Sequence, residues 1–162
     1  MRNRRKILSR PSLIETLVPP REAGRTVALA NGLFDLLHVG HLRYLEGAAA
    51  EADLLVVAIN SDESARRLKG PTRPVVPEAE RAELVAGFAC VNYVTIFDEL
   101  TVEPVLRALR PDVHCKGTDY TADSVPEAAV ARGLGVRIAI VGDPKDHASR
   151  DMIARIRDDG QD

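Results

Sequence analysis

The sequence predicts an α/β fold in which helices cover both faces of a parallel five-stranded sheet. Short apolar runs alternate with segments of helical periodicity along the chain, and this order implies parallel strands joined by right-handed crossovers. Residues 54–59 (LLVVAI) are apolar at every position, as expected for a strand covered on both faces. With 162 residues, 45% of them hydrophobic and 28% charged, the chain is long enough for one domain with a buried core.

The first predicted strand leads directly into the first predicted helix. Residues 26–31 (TVALAN) form an apolar run that ends at Asn31-Gly32, a dipeptide typical of turns. A helix is predicted over residues 41–52, beginning near Gly40. Its apolar side chains recur at spacings of three and four, at Leu42, Leu45, Ala49 and Ala52.

The rest of the chain continues the alternation. Residues 69–77 (KGPTRPVVP) hold three prolines and one glycine, so they are predicted to be a loop, long enough to carry a function. Later patterns predict a helix at 77–88, a strand at 93–97, a helix at 102–109, a strand at 113–116, a helix at 126–132 and a strand at 136–141. The expected architecture is a Rossmann-like three-layer α/β/α sandwich, with ligands beyond the carboxyl ends of the strands.

The two ends of the chain are expected to lie outside the folded domain. Five of the first ten residues are basic, and too few apolar residues accompany them for a signal-peptide core. We expect residues 1–24 to form a basic arm that is partly disordered. The folded domain is then predicted to span residues 25–158, and residues 159–162 to form a C-terminal tail.

Composition and charge exclude several classes of function. A formal net charge of −2 argues against a nucleic-acid binder, because such proteins need a positive excess. The longest apolar run, at residues 54–59, is far too short to span a bilayer. Cys90 and Cys115 have no CxxC spacing, so we expect neither a disulfide framework nor a zinc site, and a cytoplasmic location.

Two histidines, His38 and His41, lie between the first strand and its helix, with Gly40 between them. At a helix N-terminus, free backbone N–H groups and the positive end of the helix dipole attract phosphate. Gly40 allows close approach of the backbone, and the imidazoles add donors that follow charge as it develops. Since phosphoryl transfer needs mainly alignment and charge compensation, the pattern predicts a site for that chemistry.

The segment GLFDLLHVGH at residues 32–41 resembles the GxFDxxHxGH signature of the cytidylyltransferase-like nucleotidyltransferase superfamily, with every fixed position present. Further motifs resemble the adenylyltransferases that make ADP-heptose from heptose 1-phosphate. These are NSD at 60–62, RLKG at 67–70, RPV at 73–75, ER at 80–81 and KGTDY at 116–120. The resemblance extends from about residue 26 to residue 157.

The resemblance implies a role for residues in each motif. His38 and His41 would be catalytic, contacting the triphosphate and stabilising the transition state at its α-phosphorus. Asp62, Lys69 and Arg73 would bind the sugar phosphate, although Asp62 is equally well explained as a helix N-cap. The nucleotide would be bound by Asn31, Gly32, Phe34, Asp35, Gly40, Lys116, Gly117, Asp119, Ser149 and Arg150.

The last motif departs from the superfamily pattern. Members of the superfamily carry a Ser/Thr-rich turn before the final helix, which holds the β- and γ-phosphates. Residues 147–151 (HASRD) keep a single hydroxyl, on Ser149, and the charge of Arg150 is expected to replace the missing contacts. Mg²⁺ is expected to enter with ATP, held by phosphate oxygens and water, with no protein ligand assigned.

The function predicted on this resemblance is adenylyl transfer from ATP to a sugar 1-phosphate, with D-glycero-D-manno-heptose 1-phosphate as the expected acceptor. A homodimer and a separate sugar kinase upstream are further expectations. Two alternatives stay open on the same fold. One is CTP-dependent transfer to glycerol 3-phosphate or a related alcohol phosphate, and the other is a non-catalytic nucleotide-binding module.

Overall fold

Five parallel strands form one sheet in the computed structural model, which describes residues 3–144 and 152–156. The strands are β1 (Val27–Gly32), β2 (Leu54–Asn60), β3 (Tyr93–Phe97), β4 (Val113–Lys116) and β5 (Arg137–Ile140). In the centre of the sheet, Ala30 of β1 pairs with Val57 on one side and with Cys115 on the other. The predicted parallel five-stranded sheet is confirmed.

Helices cover both faces of this sheet. Within residues 3–144 they are α1 (Arg10–Glu22), α2 (Val39–Ala49), α3 (Asp62–Lys69), α4 (Glu78–Ala86), α5 (Glu103–Leu109) and α6 (Ala128–Gly133), preceded by a 3-10 turn at Asn3–Lys6. One buried cluster joins Leu45 of α2 and Val85 of α4 to the first face. A second joins Leu17 of α1 and Leu106 of α5 to the opposite face. The molecule is therefore the three-layer α/β/α sandwich that the sequence predicts.

The order of strands reverses between β1 and β4. Across the sheet the order is β3-β2-β1-β4-β5, so the chain moves outward from β1 to β3 and then returns to the other side of β1. Connections that leave the carboxyl ends of β1 and β4 run in opposite directions, which opens a crevice between them. In the described ranges, none of the helices has the length and apolarity needed to cross a membrane.

The N-terminal segment is folded, which corrects the expectation of a partly disordered arm over residues 1–24. From Asn3 onward it forms a 3-10 turn and α1, and α1 buries Leu13 and Leu17 against the sheet. These leucines lie one helical turn apart and beyond the basic first ten residues. The prediction of disorder rested on the basic charge of those ten residues, which gives no information about the packing of the leucines. The predicted tail at residues 159–162 lies outside the described ranges.

The sequence analysis missed α3, which occupies residues between β2 and the proline-rich loop. Its N-cap is Ser61, whose hydroxyl accepts the N–H of Ser64 at 3.2 Å. The helix buries only Ser64 and Ala65 and exposes charged residues elsewhere. Because it carries no apolar stripe, the usual helical periodicity gave no signal. The other predicted elements occur, with ends shifted by a few residues.

Candidate functional site

A cleft of about 670 Å³ lies beyond the carboxyl ends of β1 and β4, where the strand order reverses. Most of the predicted site residues line it, although they come from three separate parts of the chain. They are Asn31, Gly32, Phe34, Asp35, His38, Gly40, His41, Lys69, Arg73, Lys116, Gly117 and Asp119. The structure thus brings together the β1–α2 turn, the end of α3 with the loop after it, and the end of β4.

Three predicted site residues are not placed in the cleft. Asp62 is not among the residues that line it, and its carboxylate accepts a hydrogen bond from Arg81 at 2.8 Å. Nor is Asp62 the N-cap of α3, because Ser61 takes that position. Ser149 and Arg150 lie outside the residues that the structure describes, so their predicted roles stay predictions.

The two histidines sit together at the start of α2. His38 is the N-cap residue, and its backbone N–H donates to Nδ1 of His41 at 3.3 Å. The ring centroids are 4.0 Å apart. Because Nδ1 of His41 accepts a hydrogen bond, the proton of the neutral ring resides on Nε2, which becomes a donor. The local fold therefore sets both the spacing of the rings and the tautomer of His41.

The cleft floor beneath the histidines is formed by Phe34. This side chain is buried, and its ring centroid lies 5.4 Å from that of His41 and 6.4 Å from that of Tyr44. Gly32 allows this packing, because a Cβ at position 32 would lie 3.1 Å from the Phe34 ring. A side chain at position 32 would therefore crowd the Phe34 ring, which favours glycine there.

Tyr44 was not singled out from the sequence, yet it joins the two central strands under the cleft. Its hydroxyl donates to the carbonyl of Cys115 at 2.8 Å and accepts the N–H of Asn31 at 3.4 Å. Burial raises the pKa of Tyr44, so the hydroxyl keeps its proton and this link persists at neutral pH. A tyrosine one helical turn after His41 was the available sequence signal.

Asp35 holds the proline-rich loop against the β1–α2 turn. It is buried, and its Oδ1 accepts the N–H groups of Val75 at 2.8 Å and Val76 at 2.9 Å. Its other oxygen forms an ion pair with Arg73 at 2.5 Å. These contacts occupy the carboxylate, so they support a role in positioning Arg73 and the loop rather than direct nucleotide contact.

Arg81 lies beneath the same loop and is fully buried. Its guanidinium donates to the carbonyl of Val76 at 2.9 Å, to the carbonyl of Leu33 at 2.5 Å and to Asp62 at 2.8 Å. The single side chain therefore connects α4, the loop, the β1–α2 turn and the start of α3. Sequence reasoning noted it only within the ER motif, because its partners are distant along the chain.

A charged group is buried at the β4 side of the cleft. Lys116 Nζ lies 3.2 Å from Asn31 Oδ1 and 3.4 Å from Glu127 Oε2. His114 Nε2 lies 3.7 Å from the same carboxylate oxygen, beyond the length of a good hydrogen bond. Burial alone would raise the pKa of Glu127, but the adjoining His114 ring and the Lys116 charge outweigh it and lower the pKa to about 2. Glu127 is therefore ionised at neutral pH.

The buried His114 should make stability depend on pH. Burial lowers the pKa of His114 below its usual 6.5, so the unfolded state takes up a proton at a higher pH than the folded state. The neutral ring therefore makes its full contribution to the free energy of unfolding above about pH 6.5, and this contribution decreases as the pH falls below that value. Urea unfolding between about pH 7 and pH 5 should show a smaller loss in His114→Leu than in the wild type. Parallel pH profiles for the two proteins would contradict this prediction.

Comparison with known proteins gives a consistent family match. A family model described as cytidylyltransferase-like matches residues 29–151. The bifunctional protein HldE of Syntrophotalea carbinolica is 44% identical over 94% of this chain and 31% of its own length, and that of Acidiphilium cryptum is 44% identical over 94% and 32%. The chain thus spans about a third of the length of these curated relatives.

A solved structure shows the same arrangement of the backbone. It is the crystal structure of the lipopolysaccharide core biosynthesis protein from Thermoplasma volcanium GSS1, with a TM-score of 0.64 and 26% sequence identity. The alignment covers 75% of this chain and 100% of that one. At this level of identity, the likeness supports the family match as well as the fold.

Proposed function

The chain belongs to the cytidylyltransferase-like family, and from this premise we propose that it transfers AMP from ATP to a sugar 1-phosphate, giving an ADP-sugar and pyrophosphate. The observation that carries the proposal is the pair His38 and His41 at the N-terminus of α2, facing a cleft at the reversal of strand order. At such a site a phosphate group can be bound by backbone N–H groups, by the positive end of the helix dipole and by two imidazole donors together.

The proposed acceptor is D-glycero-D-manno-heptose 1-phosphate. Support comes from the RLKG, RPV and KGTDY motifs, from the HldE relatives and from a structural neighbour named for lipopolysaccharide core biosynthesis. Lys69, at the end of α3, and Arg73, in the loop that follows, line the cleft, where their charges can hold an acceptor phosphate. A separate sugar kinase that supplies the phosphorylated sugar, and a homodimeric assembly, belong to the same proposal.

In the proposed reaction, an oxygen of the acceptor phosphate attacks the α-phosphorus of ATP. The new P–O bond forms as the bond from the α-phosphorus to the bridging oxygen breaks, and that electron pair leaves with pyrophosphate. His38 and His41 donate to the phosphate oxygens on which charge accumulates. The α2 N-terminus fixes the triphosphate, so that attack and departure are in line.

Mg²⁺ is proposed to bind together with ATP, where it would neutralise phosphate charge. Asp35 lines the cleft, but Arg73 and two backbone N–H groups already occupy its carboxylate. Among the described residues, no cluster of three or more histidine, cysteine or acidic side chains could hold a metal ion. The residues therefore fit an ion held mainly by triphosphate oxygens and water.

The test is a matrix of nucleotides and acceptors assayed for pyrophosphate release. With Mg²⁺ present, ATP and heptose 1-phosphate should give ADP-heptose and pyrophosphate. Release only with CTP and glycerol 3-phosphate would replace the proposal by cytidylyl transfer. Nucleotide binding without release for any pair would instead indicate a non-catalytic module.

Asp35→Asn should weaken use of the acceptor. The asparagine can still accept the loop N–H groups, but it no longer offers a charge to Arg73, which then loses its fixed position. The KM for the sugar phosphate should rise about tenfold, with a smaller change in kcat. Asp53→Asn is the matched control, because Asp53 also accepts a backbone N–H, from Thr26, but lies at the amino ends of the strands. An equal rise in both variants would show that the effect is not specific to the loop.

A further inference from the structure

Lys116 is held in one place by three neighbours. Its Nζ lies 3.2 Å from Asn31 Oδ1, 3.4 Å from Glu127 Oε2 and 5.2 Å from the centroid of the Tyr120 ring. Lys116 lines the cleft, yet only 7% of the residue is exposed. The lysine side chain is therefore largely covered, and these neighbours limit where its ammonium group can lie.

Glu127 is buried with Lys116 and has an opposite charge. It precedes α6, is 4% exposed and does not line the cleft. A buried ammonium group without a counter-charge is strongly disfavoured, whereas a paired one is tolerated. Glu127 thus allows a lysine to be buried here and fixes where its Nζ lies.

The pairing also determines which ligand atom suits Lys116. Lysine and glutamate together carry no net charge, so the pair adds little attraction for a phosphate at this side of the cleft. An ammonium group has three N–H donors; Asn31 Oδ1 accepts one of them, and Glu127 lies at ion-pair distance. A further N–H of this neutralised group suits an uncharged acceptor, such as a ring nitrogen, a carbonyl oxygen or a hydroxyl.

We propose that Lys116 reads the nucleoside part of the nucleotide, donating a hydrogen bond to an uncharged acceptor on the base or ribose, and that Glu127 is the positioning residue that holds it there. The inference rests on the proposed function only in taking the ligand of the cleft to be a nucleotide. Binding of the triphosphate is then left mainly to the backbone N–H groups at the N-terminus of α2, beside His38 and His41.

The first experiment compares ATP with inorganic tripolyphosphate, which has the phosphates but no nucleoside. Calorimetric titration of Lys116→Met should show ATP affinity reduced by about tenfold or more, as expected for loss of one charged hydrogen bond. Affinity for tripolyphosphate should stay within about twofold of the wild type. An equal loss for both ligands would make Lys116 a phosphate ligand and overturn the proposal.

A double-mutant cycle tests the positioning role of Glu127. Glu127→Gln should also weaken ATP binding severalfold, and the double variant with Lys116→Met should bind ATP no more weakly than Lys116→Met alone. Additive losses would mean that Glu127 acts independently of Lys116 and would overturn its assignment. Asp123→Asn is the matched control, and this variant should bind ATP normally. Asp123 is an exposed carboxylate before α6 that pairs with Arg132, which lies within α6.

The binding series and the pyrophosphate assay separate the two proposals. If the wild type binds ATP and the variants behave as stated, the inference stands even where no acceptor yields pyrophosphate. If pyrophosphate is released but Lys116→Met binds ATP as the wild type does, the inference fails and the proposed function survives. Thermal unfolding of each variant shows whether that variant is folded. A folded wild-type protein that binds no nucleotide would overturn the inference.

Discussion

Replacing either His38 or His41 by alanine is expected to lower kcat by about 10²- to 10³-fold, the usual cost of removing one donor to developing negative charge. The two rings lie 4.0 Å apart at the N-terminus of α2, so each can contact the same phosphoryl group. The affinity for ATP should change by less than about threefold, because these contacts strengthen mainly in the transition state. Steady-state kinetics with calorimetric ATP titration measures both quantities.

A further variant separates chemistry from folding at this position. His41 also accepts the N–H of His38 at the helix start, so alanine removes a cap worth about 1 kcal/mol of stability. Glutamine at the third helical position preserves such an acceptor, and His41→Gln should therefore unfold like the wild type while remaining nearly inactive. Substantial turnover by His41→Gln would show that the imidazole is not required.

Arg81→Met is expected to lower the free energy of unfolding by about 3 kcal/mol. The substitution leaves the carbonyl oxygens of Leu33 and Val76 without their donor and removes the partner of Asp62. Since Leu33 belongs to the β1–α2 turn, the turn that carries the histidines should also loosen. Urea unfolding gives the stability, and kcat should fall in parallel.

Arg132→Met is the matched control for the buried arginine. Arg132 pairs with Asp123 on the surface, where 63% of the arginine side chain is exposed. Its loss should change stability by less than about 0.5 kcal/mol. If both variants unfolded at the same urea concentration, the hydrogen bonds of Arg81 would contribute no more to stability than a surface ion pair.

The helices show where prediction from local pattern succeeds and where it fails. The strands and α2, α4 and α5 were predicted because apolar residues recur at a regular period and end at turn residues. The α3 helix was not predicted because a helix that buries only small residues has no regular spacing of large apolar residues. The α1 helix was not predicted because it follows the basic first residues of the chain and buries only two leucines, Leu13 and Leu17.

The candidate site divides in a similar way. Residues within one motif, such as His38 and His41, could be identified because their spacing alone brings them to the same helix start. Asp62 was assigned to the substrate, but a buried arginine on another helix takes its carboxylate. Asp35 was assigned to the nucleotide, and the structure shows that it anchors a loop whose sequence position gave no hint of that contact.

From its sequence the chain could be placed in its fold and family, and the turn proposed to bind phosphate could be located, because periodicity and motif spacing are properties of neighbouring residues. The partners of the buried charges could not be found in that way. Lys116 with Glu127, and Arg81 with Leu33 and Asp62, meet only after the sheet and helices have packed. Since a buried charge is stable only beside a suitable partner, the packed structure alone decides which side chains bind and which position them.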